Sequence, residues 1–150
     1  MKSDVLIIGG SAAGLTAALT ARRQYPDSKV TLIRKEKRVP IPCGIPYIFG
    51  TLGSPEKNLI PDDPLLKNEI ELIIDEVVSI NREAKTVATA DGKEIGYEKL
   101  ILATGSLPLV PPIPGVDMKN VFPIKKDVEY LAEILHALDE AEDVVVIGGG

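Results

Sequence analysis

The sequence holds one cysteine, no tryptophan and few aromatic residues, which make up 4% of its 150 positions. A lone thiol cannot form an internal disulfide, and a cytoplasmic setting is the expectation. Basic residues are outnumbered: 17 Lys and Arg face 22 Asp and Glu, a net charge of −5. A general nucleic-acid or acidic-membrane binder needs a basic face, so no nucleic acid and no membrane are expected as partners. Long apolar runs are also missing. Val5–Ile8 leads straight into glycines, so no secretory leader is expected, and nothing approaches the roughly 18 apolar residues of a membrane span. What remains is ordinary for a globular α/β chain: 45% apolar and 26% charged residues, enough for one core.

A repeat organises the chain. Val5-Leu6-Ile7-Ile8-Gly9-Gly10 is nearly matched by Val144-Val145-Val146-Ile147-Gly148-Gly149, and an acidic residue precedes each copy (Asp4, Asp143). The first copy runs into a helix. Its small and apolar residues, Ala13, Ala17 and Ala18 with Leu15 and Leu19, suit packing on a parallel sheet. The second copy stops at Gly150, so the chain is expected to be the front part of a longer protein with two dinucleotide-binding units in series.

Between the copies, Lys29–Ile33 reads as a second buried strand, and Leu72–Ile74 as a third. Pro61-Asp62-Asp63-Pro64 opens a short helix to about Asn68. The runs Glu76–Ile80, Lys85–Ala90 and Glu94–Tyr97, with turns at Asn81-Arg82 and Asp91-Gly92, form a three-stranded antiparallel meander. Leu100–Ala103 returns as a buried parallel strand. Asp127 caps a helix to Asp139 with Val128, Leu131, Leu135 and Leu138 on one stripe, and Asp143–Ile147 reads as a further strand.

Three signals carry chemistry. Gly9-Gly10-Ser11-Ala12-Ala13-Gly14 joins a strand to a helix, as a pyrophosphate cradle requires; Ser11 stands where the middle glycine is usual. The plain alternative is a strand-to-helix turn without a ligand. The acidic ribose partner is expected about 20 residues on, where Arg34, Lys35 and Glu36 stand. Either Arg34 marks a 2′-phosphate or lies over an adenine, or Glu36 reaches the ribose, or the run Arg34–Arg38 is a solvated charged stretch. In Pro42-Cys43-Gly44-Ile45-Pro46-Tyr47 a cysteine opens a short helix, whose N–H groups favour the reactive thiolate; a buried, inert cysteine is the alternative. Last, a buried strand delivers Ala103-Thr104-Gly105, small residues that admit a flat cofactor.

Together, the glycine turn and Tyr97-Glu98-Lys99-Leu100-Ile101-Leu102-Ala103-Thr104-Gly105-Ser106-Leu107-Pro108 resemble the pyridine nucleotide-disulfide oxidoreductases over nearly all of residues 3–150. The resemblance implies a Rossmann-like FAD/NAD(P)-binding α/β fold, a parallel sheet with helices and the antiparallel meander. It implies FAD on Gly9–Gly14, Arg34–Glu36, Val77 and Ala103–Gly105, with Val77 near the adenine. It places an incomplete FAD domain at 1–125, lacking its C-terminal segment. Residues 126–150 become a linker helix and the first strand of a truncated NAD(P)H-binding domain. Ile48 stands where the disulfide branch carries its second cysteine, so Cys43-Gly44-Ile45-Pro46-Tyr47 is similar to the single-cysteine branch of coenzyme A-disulfide reductases, NADH oxidases and NADH peroxidases. There the cysteine passes through a mixed disulfide or a sulfenic acid. Ala12 replaces a histidine of the peroxidases, which favours the coenzyme A-disulfide reductase type. Pro42 replaces the asparagine or serine usual before the cysteine.

The branch also implies coenzyme A contacts at Thr16, Arg23 and Lys67. Thr16, Thr20 and Arg23 fall on one helix face, which suits phosphate, although any polar helix face has this pattern. The expected activity is NAD(P)H-driven reduction of a small disulfide or sulfur species through Cys43, in a homodimer when full length. One alternative is an oxidase passing electrons to oxygen through the flavin. Another is a flavin-binding or structural fragment without turnover. His136 is expected to face solvent, and Pro108–Pro114 to be a connection rather than a ligand motif.

Overall fold

A computed structural model describes residues 1–148; Gly149 and Gly150, the end of the second glycine turn, lie outside the described residues. The chain opens with β1 (Lys2–Ile8), α1 (Ala12–Gln24) and β2 (Val30–Arg34). A helical stretch follows: a 3₁₀ turn (Pro42–Gly44), α2 (Ile45–Tyr47) and a π turn (Ile48–Leu52). A second 3₁₀ turn (Pro55–Asn58) leads to α3 (Asp63–Lys67). Then come β3 (Glu71–Ile74), β4 (Val77–Asn81), β5 (Thr86–Thr89), β6 (Glu94–Leu102) and α4 (Val128–Asp139). One six-stranded sheet has the order β3-β2-β1-β6-β5-β4. Its β3-β2-β1-β6 part is parallel and its β6-β5-β4 part antiparallel.

The sheet follows from alternation in β1. Val5 and Ile7 join Leu32, Ala18, Ala21 and Leu65 on one face; Leu6 and Ile8 join Ile33, Val87, Ile95 and Tyr97 on the other. Ala18 is fully buried, so α1 lies close to the sheet and no larger side chain fits there. The expected turns hold the meander: Asn81 Oδ1 accepts from the N–H of Glu83 and Ala84, and Gly92 takes φ +79°. The two runs expected at 94–97 and 100–103 are one strand. Exposed Glu98 and Lys99 look like a break, but β6 pairs with β1 from Gly96 to Leu102 and with β5 at its start.

Asp127 caps α4, its Oδ1 accepting from Tyr130 N at 2.8 Å. The helix is anchored rather than free: Leu131 and Ile134 share a buried cluster with Ile45 and Ile48, beside the cysteine turn. Arg38 adds ion pairs to Glu56 and Glu129. Residues 143–147, expected as a strand of a further domain and without its neighbours either disordered or packed on a sheet edge, form no strand here. Val145 and Val146 are 85% and 80% exposed and pair with no strand, because no sheet edge lies beside them among the described residues. None of the described helices is long and apolar enough to cross a membrane.

Candidate functional site

The turn after β1 is shaped by side chains it lacks. Gly9 has φ +113°, and a Cβ there would lie 2.2 Å from the Ala103 carbonyl oxygen. One on Gly14 would lie 1.8 Å from the Gly9 oxygen. Gly9 N donates to Ile33 O and Ala103 N to Ile8 O, both at 2.8 Å, so main chain of β2 and of the residue just after β6 flanks the turn. Ser11 makes no side-chain cap bond to α1, and no acidic residue stands in the helix's first turn. Ala12 and Ala13 are exposed. The start of this 13-residue helix has no side-chain cap and carries only small side chains, so its first N–H donors are open to an anion such as a pyrophosphate. Thr104 and Gly105 are exposed beyond β6, and Lys126 Nζ approaches Gly105, a cation that the motifs did not reveal.

Arg34 is engaged within the chain itself. Its side chain is 2% exposed and grips Asp62 with two hydrogen bonds, at 2.7 and 2.9 Å. Its remaining bonds run to the Glu36 and Lys37 carbonyls. The charge is neutralised and the fork locked, so it fixes the loop after β2 and the start of α3. Gly10 packs on its stem. Lys35 is exposed, 3.8 Å from Glu76, and Glu36 is half-buried. Val77 lies half-buried at the start of β4, brought to the end of β2 because Asp75 N donates to Arg34 O at 2.9 Å. The Asp75 carboxyl is held below the usual carboxylate range by the Thr89 hydroxyl, then by the N–H groups of Asp91 and Glu76 and by Lys93. It ties the β5–β6 turn to the start of β4.

Cys43 is exposed in its 3₁₀ turn. The turn is clipped from beneath: Ile41 N donates to Asn58 O and Ile60 N to Val39 O, both at 2.8 Å, around a Pro40/Leu59 bridge. Thr16, Thr20 and Arg23 come together on an open groove of about 500 Å³ with Leu19, Pro26 and Asn68. Lys67 is not on its wall and lies 3.7 Å from Asp63. Arg22, overlooked in the sequence, braces the groove by donating to the carbonyls of Pro26, Ser28 and Glu69. His136 is exposed, as expected. No group of His, Cys, Asp and Glu suited to a metal occurs among the described residues.

A mostly parallel sheet with an open glycine turn at its carboxyl edge defines a dinucleotide-binding α/β unit. The sequence pattern of the pyridine nucleotide-disulphide oxidoreductases matches residues 3–150, and the chain belongs to that family. It is 35% identical over 157 aligned positions to the NAD(P)H sulfur oxidoreductase (CoA-dependent) of Pyrococcus abyssi, covering 100% of this chain and 35% of that protein. The NADH oxidase of Methanocaldococcus jannaschii is 36% identical over 157 positions, covering 97% and 35%. The structure of a NAD-dependent persulfide reductase from A. fulgidus superposes with a TM-score of 0.79 at 29% identity, covering 93% of this chain and 28% of that one. The chain thus spans about a third of the length of the curated relatives it matches, 35% of each.

Proposed function

We propose that the chain is the FAD-binding part of an NAD(P)H-dependent flavoenzyme that reduces a small disulfide or sulfur species through Cys43. One observation carries this reading: the chain's only thiol is exposed on a helical turn, in a unit that also presents an uncapped glycine cradle. The names of the relatives support the substrate class. In this reading residues 1–125 hold FAD, completed by a segment further along the full-length protein. Residues 126–150 lead into the NAD(P)H-binding domain, and the protein is a cytoplasmic homodimer.

The cradle residues fit FAD. Gly9, Gly10 and Gly14 would admit the pyrophosphate, and the N–H groups of Ser11, Ala12 and Ala13 would be its donors. Ala103, Thr104 and Gly105 border the flavin side. Glu36 or Arg34 would lie near the ribose, the Arg34 side chain being held by Asp62, and Val77 would approach the adenine. Bound FAD supplies two-electron transfer from NAD(P)H to sulfur. The Cys43 thiolate attacks one sulfur of the disulfide and expels a thiolate. Two electrons then cleave the resulting mixed disulfide and restore Cys43. Thr16 and Arg23, and Lys67 at a distance, serve a coenzyme A moiety on the groove.

Cys43→Ser in the full-length enzyme is expected to abolish reduction of coenzyme A disulfide while the flavin spectrum survives. Wild-type disulfide turnover in that variant would refute the thiol mechanism. Retention of NADH-driven oxygen consumption alone would show the flavin acting without the thiol.

A further inference from the structure

We infer that Asn58 is a positioning residue for Cys43, acting through the main chain of the turn that carries the thiol. The inference rests on the reading of Cys43 as the redox group. Because Cys43 is exposed, packing does not set its direction; the backbone of residues 42–44 must. Asn58 is 3% exposed, and a buried amide is tolerated only when its polar atoms are engaged. Its Nδ2 donates to the Ile41 carbonyl at 2.9 Å, and Gly44 N donates to the same oxygen at 3.0 Å. One acceptor therefore joins Asn58 to both ends of the cysteine turn. The Asn58 Oδ1 lies 1.9 Å from where a Gly44 Cβ would be, so the amide fills the space that a side chain there would take.

The role is separable from folding. The clip between 39–41 and 58–60 is made by main-chain bonds, none of which uses the Asn58 side chain. What the side chain adds is the orientation of the next three residues. Thiol–disulfide exchange depends on how the attacking sulfur is aimed, and a displacement near 1 Å can cost on the order of a hundredfold in rate.

In the full-length flavoprotein, Asn58→Ala is expected to lower kcat for NADH-driven reduction of coenzyme A disulfide by about tenfold or more. The KM for NADH should be unchanged. Oxygen consumption, which needs no thiol, should stay within about twofold. Gly44→Ala, pushing on the same amide from the other side, should give the same selective loss. The double variant should lose no more than the worse single one, because both act through one contact. Unchanged disulfide reduction in Asn58→Ala overturns the inference. So does parallel loss of flavin and both activities, which would assign Asn58 to the fold. Cys43→Ser, run alongside, separates the cases. A dead Cys43→Ser beside an unaffected Asn58→Ala removes the inference alone, whereas an active Cys43→Ser removes the thiol reading with it.

Discussion

The glycine turn after β1 and the turn that carries Cys43 are secured in different ways. The first is walled by main chain: the atoms nearest a Cβ on Gly9 or Gly14 are carbonyl groups of Ala103 and Gly9. The second rests on a side chain, since what a Gly44 Cβ would meet is the Asn58 amide. Main chain held at the ends of paired strands has little room to retreat, but a side chain can rotate. A rigid cradle suits a group that stays bound. In the proposed reading, the turn that carries Cys43 owes its setting to one buried side chain.

Substitutions should rank by that difference. Gly14→Ala is expected to do most damage, at or above the top of the ~1–3 kcal/mol that overpacking costs, with loss of flavin. Thermal unfolding and the flavin spectrum measure it, and a stable, yellow Gly14→Ala protein would break the comparison. Arg34→Ala comes next. It strands Asp62, but that carboxylate is 37% exposed, so about 2 kcal/mol is expected rather than the ~3–5 of a fully buried pair. Denaturant unfolding checks this, and Arg34→Lys should recover only part because it cannot make the bidentate contact. Gly44→Ala should cost about 1 kcal/mol, since the Asn58 amide can shift. If Gly44→Ala proved as damaging to stability as Gly14→Ala, the distinction between the two turns would fail.

The smallest effect depends on pH. Asp75 has a lowered folded-state pKa, so its stabilisation is full above the unfolded carboxylate value, about 3.9, and is lost as pH falls through the folded value. Asp75→Asn should therefore be less stable than the parent at pH 7, with the gap closing toward pH 2. Urea midpoints across that range test it; a gap independent of pH would mean that shape, not charge, holds the meander.

The strands and the glycine turn were legible because their signals are local: a period of two, a turn residue, a glycine where a Cβ cannot fit. The α4 stripe and its Asp127 cap were readable for the same reason. Arg34 was not, because its partner Asp62 lies across a loop and nothing in the spacing announces the pair. Asn58 left no signal either, since a buried asparagine looks like a loop residue until its neighbours are known. The 143–147 segment shows the reverse case. Its apolar run has strand propensity, but a strand forms only against another, and none is adjacent here.

β6 also has a consequence in time. Ile8 pairs with Ile33 on one side and with Leu102 on the other, partners about 25 and 94 residues away. Closing the longer loop costs only about 1 kcal/mol more than the shorter, so entropy is a weak obstacle. Synthesis is the stronger one. At about 5–20 residues per second, β1 on the ribosome waits several seconds for β6 with one edge open. Throughout that interval Gly9 and Gly14 have no Ala103 against them, so the cradle cannot be complete in a nascent chain that has not yet reached the end of β6. Under the proposed reading, flavin capture would therefore have to wait until the whole of β6 and Ala103 behind it have been made.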